Sequence, residues 1–152
     1  MKNFSLSYHD KQVFIVLNIL AILTFVYDTF FSDVRDCLQN TKTNSCKLAI
    51  IIINFVHHYM SIFGLFGWLF DNKILLFIYI SLVIITVLQW KLTGGVCIVT
   101  KCISILSDTP EYRRFNDLYR IMNLRKLIKP KILYYGSLSA FVAVAIYKLF
   151  IL

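Results

Sequence analysis

Two adjacent histidines, His57 and His58, lie in the middle of an apolar run beside Asn54 and Ser61. Imidazole titrates near neutral pH when unperturbed, so in such a setting it could act as acid or base, ligate a metal or relay protons. Geometry argues against a metal. Neighbouring helical residues point about 100° apart, unlike the i, i+4 histidines that grip one ion, and His9, the only other histidine, lies outside the run. No metal site and no cofactor is predicted. On a helix Asn54, His58 and Ser61 form one stripe, with His57, Ser61, Gly64 and Trp68 beside it. Polar side chains in hydrocarbon need partners, so this face is predicted to turn inward. Asp28, in the preceding apolar run, either reaches a headgroup layer with Asp33 and Asp36 or pairs with a buried polar group on another helix. Tyr79 and Ser81 match the histidines best in depth.

The cysteines offer less. Cys37 and Cys46 flank a polar stretch that a disulfide between them would stabilise, and Cys97 and Cys102 follow later. None of the spacings is a zinc knuckle or a C-x-x-C redox pair.

These groups are carried on four apolar runs, 13–31, 48–70, 74–90 and 132–152. Runs of about 17 to 23 residues match a hydrocarbon slab about 30 Å thick. The 152-residue chain is 59% hydrophobic, against about 45 to 50% for a soluble domain. The predicted fold is all-α, a polytopic integral membrane protein with a four-transmembrane-helix bundle as its single domain, 1–152. The first run exceeds a signal h-region of about 7 to 15 residues and no A-x-A site follows, so it is predicted to remain. Asp71, Asn72 and Lys73 alone separate runs two and three, which predicts an antiparallel hairpin. Gly64, Gly67, Gly136 and Ala140 are the residues expected to permit close helix approach. Lys148 is placed to snorkel.

Between runs three and four, Val96, Val99, Ile103 and Leu106 repeat at helical spacing in a stretch too short to span, predicting a helix in the interface or against the bundle. Asp108, Thr109, Pro110 and Glu111 then supply helix-start chemistry for a basic amphipathic helix over about 108–129. Its Arg113, Arg114, Arg120, Arg125, Lys126 and Lys129 are expected to contact anionic lipid headgroups; the apolar arc of Tyr112, Phe115, Leu118, Tyr119 and Met122 favours a membrane over nucleic acid. Net charge is +8. Arg35, Lys42, Lys47, Lys91, Lys101, Lys131 and the six residues of the amphipathic segment fall in the loops after runs one and three, against Lys2, Lys11, Lys73 and Lys148 on the other side. That bias predicts loops 32–47 and 91–131 in the cytosol and both termini opposite. A Cys37–Cys46 bridge would argue for the reverse, since cytosol keeps thiols reduced.

The segment V-H-H-Y-M-S at 56–61 resembles the double-histidine segment of the longevity-assurance (ceramide synthase) family, which implies His57 and His58 as acid and base at an acyl carbonyl. More broadly, H-H-Y-M-S-I-F-G at 57–64 with W-K-L-T-G-G-V-C-I-V-T at 90–100 resembles a group of small uncharacterised four-helix membrane proteins of large DNA viruses and protists. That resemblance implies a four-helix fold and residence in a viral membrane or endomembrane, and carries over no catalytic residue. Three functional readings follow. The first is a non-catalytic structural or assembly component in the bilayer, partnered as a homo-oligomer or with other membrane proteins. The second is an oligomeric proton, ion or solute permeation protein using the histidine stripe, and the third a lipid-modifying enzyme.

Overall fold

The computed structural model describes residues 5–31, 33–94, 97–108 and 130–151, and these form helices joined by short connections, with no strand among them. In chain order the helices are α1 (Tyr8–Phe31), α2 (Asp33–Asn40), α3 (Asn44–Phe66), continued by a 3-10 turn (Gly67–Leu69), α4 (Lys73–Leu92), α5 (Ile98–Leu106) and α6 (Pro130–Ile151). The basic segment expected at 108–129, with its six headgroup-contacting residues, lies outside the described residues apart from Asp108.

The ends of the helices follow from local chemistry. Ser7 Oγ accepts from the Asp10 backbone N–H at 3.0 Å and donates to the Asp10 carboxylate at 2.7 Å. This reciprocal cap starts α1 well before its first continuous apolar stretch. Thr43, in an extended conformation, caps α3 by accepting from the Cys46 N–H. Asn72 caps α4, its Oδ1 accepting from the N–H groups of Ile74 and Leu75. Gly94 follows α4 with φ +70°, the left-handed residue that closes a helix at little steric cost.

Four helical stretches are long and apolar enough to cross a bilayer: Tyr8–Phe31, Asn44–Leu69, Lys73–Leu92 and Tyr134–Ile151. Only 11% to 28% of their apolar windows is buried within the chain. Phe14, Ile15, Leu23, Phe77, Ile85 and Phe150 all point outward. A water-soluble bundle hides such side chains, so this exposed apolar surface suits a hydrocarbon solvent.

α1 packs mainly on α3 and α4 mainly on α6, with α3 also touching α6. Leu76, Tyr79 and Val83 of α4 meet Leu138 and Ala145 of α6, with Trp68 stacked on Phe141 at 5.3 Å between centroids. Leu17 and Ala21 of α1 meet Ile62 and Phe70. The close approach of α3 and α4 is near their short connection, where a Cβ on Gly67 would lie 2.5 Å from the Tyr79 ring. Of the small residues expected at helix contacts, Gly67 alone is so used. Gly64 and Gly136 face open space and Ala140 is exposed, because α6 presents Leu138, Phe141, Val142 and Ala145 to α4 instead.

Two short helices close one end. The stretch after α1, read from sequence as a polar loop, coils into α2, whose Val34 is buried with Ile50 of α3 and Ile103 of α5. α5 is tucked against α3. Cys37 is buried on α2, and both it and Cys46 are free thiols.

Candidate functional site

The inward face of α3 repeats every three to four residues as Ile50, Asn54, His58, Ile62 and Leu65, all buried. The facing stripe of α1 is Leu17, Ala21, Thr24 and Asp28, continued by Thr29. Two helices with matching 3.6-residue periods therefore meet along a seam that is apolar at both ends and polar in the middle. There His58 Nε2 lies 3.0 Å from Asp28 Oδ2, with the two side chains 2% and 0% exposed. Asn54 Nδ2 donates to Thr29 Oγ1 at 3.2 Å. Thr24 returns its hydroxyl to the α1 backbone, donating to the Leu20 and Ala21 carbonyls. The Tyr59 hydroxyl donates to Asn18 Oδ1, a further bond from α3 to α1.

Asp28 thus turns into the seam instead of reaching a headgroup layer, since a carboxylate beside a buried imidazole is better satisfied there than in hydrocarbon. Sequence depth matching put the histidines opposite α4; the partner comes from α1. Tyr79 is occupied over Gly67, and Thr86 and Gln89 donate within α4 and its C-cap, to the Leu82 carbonyl and to Thr93 Oγ1. The histidine pair is also split. His58 is sealed in the seam; His57 and Ser61 are half-buried on the neighbouring face, the His57 ring 5.7 Å from that of His58.

Compared with protein-family models, curated proteins and solved structures, the chain matches none.

The chemistry must therefore be read from the residues. With one proton shared between them, Asp28 and His58 are net neutral, as carboxylate with imidazolium or as acid with imidazole. Without it the seam would bury a net charge. Around the pair, Phe25 lies edge-on to the His58 ring, and Asn54 Oδ1 is buried with no hydrogen-bond partner among the described residues. Among the described residues no group of three His, Cys, Asp or Glu could hold a metal ion.

A second polar node, missed from sequence, lies at the end of the bundle opposite α2 and α5. The buried Asp10 carboxylate accepts from the backbone N–H groups of Asp71 and Asn72 at 2.8 and 3.4 Å, fastening α1 to the α3–α4 connection. Lys148, expected only to snorkel, lies 2.6 Å from Asp71 Oδ1 and donates to the carbonyls of Trp68, Leu69 and Phe70. These are carbonyls that the end of α3 leaves without helical partners, and a lysine is the complementary cap. His9 completes the node, 3.1 Å from Asp71 Oδ2. The signal in the sequence is Asp10 with the D-N-K turn, but Asp10 lies three residues before the apolar run that marks the first span.

Proposed function

We propose that the chain is an integral membrane protein with a structural or assembly role, in which the polar side chains of the spans join its own helices. The observation that carries this reading is the Asp28–His58 pair, sealed between α1 and α3 and flanked by the Thr29–Asn54 and Asn18–Tyr59 bonds. Permeation or acyl chemistry through the histidines would need His58 to face a hydrated path or a substrate, whereas it faces Asp28 and is 2% exposed. The apolar outer surface fits lipid and neighbouring membrane proteins, including further copies of this chain. The basic 108–129 segment would add attraction to anionic headgroups.

The test is expression of the chain with His57→Leu, His58→Leu and Asp28→Leu, singly. Loss of abundance and of detergent-stable assembly with either seam variant, together with no pH-dependent flux from liposomes, supports the structural reading. A His57 or His58 variant with normal abundance that has lost an ion flux, or has altered one acyl-lipid class in cells, overturns it.

A further inference from the structure

Asp28 is about 5 Å along the α1 axis from Phe31, the end of its helix, but about 27 Å from Asp10 at the other end. A group so near a helix end would ordinarily be wet. It is nevertheless 0% exposed. Val34 of α2, Ile50 of α3 and Ile103 of α5 are each 3% exposed or less and form one apolar cluster with Leu38 and Val99 around it. Ile50 lies one turn before Asn54 on the same face of α3, so this cluster plugs the seam on its short side. On the long side, Leu17, Ala21, Ile62 and Phe70 fill it.

We propose that the Asp28–His58 pair is a proton-binding site addressed from the α2–α5 end alone, with the Val34–Ile50–Ile103 plug as its gate. The ligand is a proton delivered by water: it adds to the carboxylate or imidazole when the short helices part and is trapped when they reseat. Among the described residues, few ionisable groups compete for it. His57 is the neighbouring ring on α3; α2 brings Arg35 and Asp36, both exposed, and the buried Cys37, and α5 brings the half-buried Lys101 and the exposed Cys102. Because short helices open at lower cost than the long helices beneath them, the gate moves before the seam does. This goes beyond the structural role, which rests on what the seam contributes to stability and not on where solvent enters it.

The experiment follows hydrogen–deuterium exchange of the imidazole Cε1 hydrogen, by mass spectrometry, in the full chain held in lipid nanodiscs. His9, 53% exposed, is the internal reference. His58 is expected to exchange roughly tenfold or more slowly than His9. Ile103→Ser and Val34→Ser are expected to speed His58 severalfold and leave His9 unchanged. Ile62→Ser, on the long side, is expected to leave both unchanged. Should either serine variant lose helicity, Ile103→Ala and Val34→Ala read the same gate with a smaller change. His58 exchanging as fast as His9 in the unaltered chain overturns the proposal. So does equal acceleration by Ile62→Ser, or no acceleration by any plug variant.

Discussion

Replacing His58 by leucine leaves the Asp28 carboxylate in a seam where it is 0% exposed and its imidazole partner, 3.0 Å away, is gone. Removing one member of a buried pair costs about 3 to 5 kcal/mol, whereas apolar replacement of both is often close to neutral. The leucine fills the volume of the ring, so the cost is electrostatic and not that of a cavity. His58→Leu and Asp28→Leu should therefore each lower stability by about 3 kcal/mol or more, and the double variant by much less than their sum. The coupling energy is the diagnostic quantity. A neutral interhelical hydrogen bond in a bilayer contributes only about 0.6 to 2 kcal/mol, so a coupling near 3 kcal/mol marks a charged or proton-sharing pair. Reversible unfolding of the four chains by SDS titration from mixed micelles, followed by circular dichroism, gives the cycle. Additive losses would falsify the reasoning, because two residues that do not interact add.

Three further outcomes follow from the packing. Gly67→Ala must push the Tyr79 ring, so it is expected to cost about 1 to 3 kcal/mol in the same titration, while Gly64→Ala, facing open space, is neutral or stabilising. Lys148→Met removes the Asp71 contact and the cap on three carbonyls, and about 1 to 2 kcal/mol of stability should go with it; Lys148→Arg, which keeps the charge, should lose less. With maleimide in detergent, Cys102 should label within the time that the buried Cys37 stays unmodified, and Cys37 should label once SDS unfolds the chain. Equal labelling of the two would contradict the packing of α2.

Long apolar runs are the strongest signal a chain can carry, which is why the four long apolar helices were legible: oily residues at every position need no period to be recognised. The polar stripe on α3 was legible for a related reason, since Asn54 and His58 stand out in an isoleucine-rich helix. Its partner was harder. Asp28 lies near the end of α1, and depth counted along a hairpin favours α4 over α1. What decided the pairing was the lateral order of helices, a tertiary property that the hairpin connection does not specify. α2 was missed because its eight residues, D-V-R-D-C-L-Q-N, are mostly polar; only Val34, Cys37 and Leu38 betray an inward side. Small residues misled in α6, where Gly136 and Ala140 lie on the outer face and larger side chains make the contact with α4.

The most direct test of the central contact is a dipolar-recoupling distance between the Asp28 Cγ carbon and the His58 Nε2 nitrogen, by solid-state nuclear magnetic resonance on labelled chain in lipid bilayers. Water-edited detection in the same sample reports whether either group is wet. A separation of about 4 Å or less with both signals shielded from water is the predicted result, as the 3.0 Å contact between Nε2 and the carboxylate oxygen requires. No measurable coupling, or both groups in contact with water, would contradict the account.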